Sequence, residues 1–184
     1  MSWNKSSGTV SKVGILGVPL GYGAGKTGSE LGVEAMRLSL MRGGMLIDHI
    51  RELGYEVADY GNSTIVRPEA PEEHNRHPKY INEMVTSCAN IAKDVKRVLS
   101  DGAFPVILGG DHSIAIGSLS GIASHYRDEG KDIGLIWFDA HADINTPETS
   151  TSGNIHGMPF ATILGHGHEA LVNVEGFSPK IKSE

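Results

Sequence analysis

From Lys12 onward, short apolar runs alternate with stretches whose apolar residues recur at helical spacing. Val13 to Val18 is the first such run and predicts a strand, followed by a glycine-rich turn. An amphipathic stretch from about Val33 to Leu53 predicts helix, interrupted at Gly43 and Gly44. Tyr55 to Asp59 predicts a second strand, and Gly61 to Pro78 a polar loop whose prolines and charges keep no sustained period.

The clearest helix follows. Ile81, Met84, Val85, Cys88, Ile91, Ala92, Val95, Val98 and Leu99 recur at steps that place them on one helical face. Asp101 and Gly102 end it, and Phe104 to Leu108 is an unbroken apolar run, as expected of a strand covered on both faces. Ile114 to Tyr126 predicts another helix and Ile133 to Phe138 a fourth, buried strand. Strands alternating with helices predict an α/β fold: a three-layer open, mainly parallel sheet with helices on both faces, joined by right-handed crossovers. With no fixed-period repeat and no internal boundary, residues 1–184 are expected to form one domain.

Composition narrows the functional classes. The chain has 39% hydrophobic and 21% charged residues, ordinary globular proportions. No apolar stretch approaches the roughly 18 residues of a membrane span, and the amino-terminal stretch is polar, so a cytoplasmic, membrane-free protein is expected. A net charge of -6 without a basic patch argues against nucleic acid as a partner. The only cysteine, Cys88, falls among apolar helical positions and is assigned to core packing.

The chemistry concentrates where predicted strands end, the place where open α/β sheets gather their ligands. Gly109-Gly-Asp-His-Ser113 follows one apolar run and Asp139-Ala-His-Ala-Asp143 the other. Asp139, His141 and Asp143 have a period of two, so an extended backbone would point all three side chains the same way. With His112 they form a carboxylate and imidazole set without thiolate, which suits a moderately hard divalent ion such as Mn²⁺ and also admits Fe, Co, Ni or Zn. Any one of these residues alone is more simply a cap, a turn former or a surface group. Asp111, next to two glycines, is assigned a supporting role at the turn.

A competing reading starts at Gly21 to Gly28. Gly23, Gly25 and Gly28 satisfy a dinucleotide-binding spacing, with Asp59 as a possible ribose acceptor, as in a dinucleotide-binding oxidoreductase. Asp59 lies farther downstream than that pattern expects, and the pattern leaves the His and Asp clusters unexplained. A flexible active-site loop accounts better for the glycines.

Taken together, Gly109-Gly-Asp-His-Ser113, Asp139-Ala-His-Ala-Asp-Ile-Asn145 and Ser152-Gly-Asn-Ile-His-Gly-Met-Pro159 resemble the arginase branch of the ureohydrolase family. The likeness runs from about Lys12 to the last residue and includes Glu30 to Arg37 at the first helix. It implies a binuclear manganese enzyme of arginine metabolism and the urea cycle, hydrolysing L-arginine to L-ornithine and urea. By position, His112 and Asp143 would bind one Mn²⁺, His141 the other, and Asp139 would bridge both. His156 would be the catalytic proton relay, a task to which imidazole is suited because it titrates near neutrality. His141, Asn145, Ser150, Ser152 and Asn154 would contact substrate, the neutral donors meeting the α-carboxylate and α-amino group. Ser150 stands where the family often has threonine, and keeps the hydroxyl. Agmatine, which lacks the carboxylate, is the rival substrate within the family.

The family completes its metal pair with two further aspartates in a Ser-x-Asp-x-Asp motif on a later strand, and no such segment occurs in this sequence. The resemblance therefore implies a carboxyl-terminally truncated arginase-like domain, an amino-terminal portion whose turnover as it stands is in question. It also implies a homo-oligomer for the full-length protein.

Overall fold

The computed structural model describes residues 10–69 and 77–182. Parts of the amino-terminal stretch and of the polar loop expected over Gly61 to Pro78 lie outside the described residues. Strands β1 (Lys12–Val18), β2 (Glu56–Asn62) and β3 (Phe104–Gly109) form a parallel sheet in the order β2-β1-β3. Val13 pairs with Phe104 and Val18 with Gly109, so β1 and β3 end at the same level.

β1 is apolar from Val13 onward because both its faces are covered. Leu16 and Val18 join a core with helix α3 (Ile81–Ser100) and helix α4 (Ile114–Asp128), represented by Met84, Cys88, Ile91, Val95 and Ile116. Ile15 packs the opposite way with Val33, Leu108 and the apolar residues of helix α2 (Leu46–Glu52). Helix α1 (Gly32–Leu38) contributes Val33 to that side. The helix expected from Val33 to Leu53 is thus divided, with a bridge between Met41 and Gly44 at the predicted interruption. The arrangement confirms a parallel α/β sheet with helices on both faces.

α3 buries Met84, Cys88, Ile91, Ala92, Val95 and Val98, the face its periodicity predicts. The Cys88 thiol is wholly buried and its pKa is pushed up to about 12 by that burial, so it is an inert packing group. α4 lies unusually close to α3. A Cβ at Gly117 would stand 2.7 Å from the Cys88 carbonyl oxygen, and one at Gly121 would stand 2.5 Å from that of Ala92. Two glycines one turn apart therefore let the helix backbones meet, and any side chain there would collide with main chain.

One expectation fails. Residues 133–138 form no strand, and Ile136 and Phe138 are 92% and 100% exposed. The apolar run marks burial potential, but a strand exists only through hydrogen bonds to a neighbour, and no described segment pairs with this one. β3 accordingly has no neighbour on its outer edge among the described residues. Four short helical segments follow among the described residues, a 3₁₀ turn at Ile155–Gly157, helix α5 (Pro159–Ile163), helix α6 (Glu169–Val172) and a second 3₁₀ turn at Val174–Gly176.

Candidate metal centre

The first ligand is set by the end of β3. Gly110 has φ 42°, and a Cβ on it would fall 2.3 Å from the Leu20 carbonyl oxygen. Only glycine lets the chain turn so tightly against the end of β1, where the Asp111 N–H then donates to Leu20 at 2.7 Å. Asp111 is buried, and its carboxylate accepts from the N–H groups of Ser113 at 2.8 Å and Ala24 at 3.1 Å. Burial pushes its pKa up against these bonds. Asp111 thus supports the turn, as the sequence suggested, and leaves His112 at its tip.

His112 Nδ1 lies 2.7 Å from Asp143 Oδ2 and 2.9 Å from Asp139 Oδ2. One ring nitrogen carries at most one proton, so it cannot satisfy both carboxylates at once. Ligand atoms of His112, Asp139 and Asp143 all lie within 4.8 Å of one another, and an imidazole with two carboxylates is a donor set that fits a divalent cation. Side-chain exposure grades from 8% at Asp143 through 21% at Asp139 to 36% at His112. His141 stands apart at 83%, with Nδ1 3.4 Å from Asp139 Oδ1, and is not a member of the three-residue group.

The extended backbone expected over Asp139 to Asp143 gives way to a turn. Asp139 Oδ1 accepts the His141 N–H at 2.7 Å, bending the chain, and Asp143 has φ 50°. Aspartate tolerates this left-handed conformation because its short side chain bonds locally. The His141 N–H, aided by the nearby imidazoles, also holds the Asp139 carboxyl below its usual range.

Every predicted site residue lines one open cavity of about 420 Å³: His112, Asp139, His141, Asp143, Asn145, Ser150, Ser152, Asn154 and His156. Local bonds orient the polar wall. Ser150 Oγ accepts the Gly153 N–H at 3.0 Å and Ser152 Oγ the Asn154 N–H at 3.2 Å, so each hydroxyl retains its proton for donation. Asn145 Oδ1 accepts from Thr149 Oγ1 at 3.2 Å. His156 Nδ1 lies 3.1 Å from the Gly23 carbonyl oxygen, which only accepts. The proton therefore sits on Nδ1, leaving Nε2 as the basic nitrogen of the neutral ring.

The glycine-rich loop braces two lining residues of this cavity, its Gly23 and Ala24 carbonyls bonding His156 and Asn154. Its Ala24 N–H is occupied by Asp111, and Asp59 is bound by Arg37 at 2.9 Å. An amide already facing a carboxylate does not favour a phosphate, which counts against the dinucleotide reading. Two contributors had no sequence signal. Trp137 stacks on His112 with ring centroids 4.6 Å apart, and Lys79 reaches Asn154. Neither lies in a motif.

The chain is 43% identical over 172 residues to an arginase of Bacillus subtilis, covering 94% of this chain and 54% of that protein. Its structure resembles that of Bacillus caldovelox arginase, with TM-score 0.83, 41% identity, and 94% of this chain against 55% of that one. An Entamoeba histolytica arginase in complex with L-ornithine matches with TM-score 0.74 and 29% identity, over 92% of this chain and 55% of that chain. The chain thus spans about half the length of the relatives it matches. The match of residues 11–175 to the arginase family model runs through both sides of the cavity, and it establishes that this chain belongs to the arginase family.

Proposed function

We propose that the chain carries the His112, Asp139, Asp143 portion of a manganese-dependent site that hydrolyses L-arginine to L-ornithine and urea. The observation that carries this reading is the approach of His112 Nδ1 to both carboxylates, in a cavity whose other wall is built of neutral donors. Arginase relatives, one of them solved with L-ornithine, support the substrate.

His112, Asp139 and Asp143 would hold a divalent ion, and Asp139 with His141 would contribute to holding a second. A divalent ion such as Mn²⁺ held there would lower the pKa of water towards neutrality and so would supply a hydroxide-strength nucleophile. The residues of the chain do the rest. Ser150, Ser152, Asn145 and Asn154 meet the amino-acid end of the substrate and set the guanidinium carbon towards the carboxylates. Water adds to that carbon, the bond to the ornithine nitrogen breaks, and the departing amine takes a proton through Asp139. His156, protonated on Nδ1, exchanges protons with solvent through Nε2. Self-association and a cytoplasmic location are part of the same proposal, and no helix among the described residues is long and apolar enough to cross a membrane.

The test is titration of this chain with Mn²⁺ followed by a urea-release assay with L-arginine. Manganese binding with urea release supports the reading, binding without release restricts the chain to part of the site, and no binding removes the metal assignment. Agmatine is the second reading, disfavoured by the donors of Ser150 and Ser152, which suit a carboxylate that agmatine lacks.

A further inference from the structure

Lys79 lies outside every motif and immediately before α3, yet two bonds bring it to the cavity wall. Its N–H donates to the Gly153 carbonyl at 3.0 Å, and its Nζ donates to Asn154 Oδ1 at 3.1 Å. On the other side of the same amide, Asn154 Nδ2 donates to the Ala24 carbonyl at 3.1 Å.

These partners fix which end of the amide is which. An ammonium only donates and a carbonyl oxygen only accepts, so Asn154 cannot flip without losing both bonds. Its oxygen is committed to a cation, and its nitrogen keeps one further hydrogen. Asn154 lines the cavity with Ser150 and Ser152, whose hydroxyls are likewise left as donors. A ligand group meeting all three finds hydrogens, which favours an anion over an ammonium. The cation on Oδ1 also polarises the amide and strengthens its N–H as a donor.

We propose that Lys79 is a positioning residue that holds Asn154 as a hydrogen-bond donor, and thereby makes the cavity select guanidino ligands bearing a carboxylate. This rests on the reading of the cavity as a guanidino-substrate site and assigns its selectivity to a residue remote from the metal ligands.

Calorimetric titration of the Mn²⁺-loaded chain with L-arginine and with agmatine tests it, because the two share the guanidinium and differ at the carboxylate. Lys79→Met should weaken L-arginine binding about tenfold while changing agmatine binding less than about twofold. Lys79→Arg, which restores a cationic donor, should recover most of the L-arginine affinity. Lys79→Gln, a shorter neutral donor, should fall between. Equal losses for both ligands in Lys79→Met, or an unchanged preference in Lys79→Gln whether or not Lys79→Met folds, overturns the proposal. Failure of the unsubstituted chain to bind either ligand overturns the underlying substrate reading, and this proposal with it.

Discussion

His112, Asp139 and Asp143 meet because each ends a different constraint. Gly110 turns His112 back against β1, the Asp139 carboxylate captures the His141 N–H, and Asp143 adopts a positive φ. Removing one carboxylate of such a set should weaken metal binding far more than altering a residue that only borders it. Asp139→Asn is therefore expected to lower Mn²⁺ affinity more than about tenfold, as calorimetry would show. His156→Asn should leave Mn²⁺ affinity within about twofold, since its ring is anchored on Gly23 rather than among the carboxylates. Equal metal loss in both variants would refute the division of roles. The motifs made these residue types legible, but not the separation of His141 from the other three, because exposure depends on a turn that a period-two pattern does not encode.

The element that most depends on small residues is α4. Its glycines were unremarkable in the apolar pattern, yet at Gly121 a methyl group would meet the Ala92 carbonyl oxygen at 2.5 Å. Gly121→Ala gains helix propensity but must push α4 off α3, and should cost about 1–3 kcal/mol net, read from the urea midpoint. A stabilised variant would show that the helices separate freely. The segment after α6 carries a different strain. Lys180 is 7% exposed, donates to the carbonyls of Val172 (2.8 Å) and Phe177, and has its pKa lowered to about 8 by burial. Above that pH the folded chain releases a proton that the unfolded chain keeps until about pH 10.4. The unfolded state then binds more protons, so this group's contribution to stability rises with pH across the window and is smallest below it. Comparing urea midpoints, the wild type should gain on Lys180→Met between about pH 7.5 and about pH 10. A constant difference would contradict the lowered pKa.

At the scale of the molecule, the sheet is unevenly protected. β1 is covered on both faces and both edges, whereas β3 has no outer neighbour among the described residues, and Ile136 and Phe138 are almost fully exposed. An open edge and exposed apolar side chains each favour association with other chains. Ile136→Lys should therefore reduce the self-associated fraction of this chain in sedimentation velocity, leaving its far-ultraviolet circular dichroism unchanged. Undiminished association would place the contact elsewhere, for example on the apolar residues Leu38 and Leu40, 69% and 74% exposed.

Hydrophobic period and motif spacing determined three strands, the long α3, the position of His112 just past the end of β3 and the family, because each follows from chemistry close in sequence. The failed strand at residues 133–138, the close α3–α4 contact, the stacking of Trp137 on His112 and the reach of Lys79 to Asn154 were decided only in three dimensions. Each depends on a partner far along the chain. A residue's own pattern records how strongly it resists water, but not which distant backbone or side chain arrives to meet it.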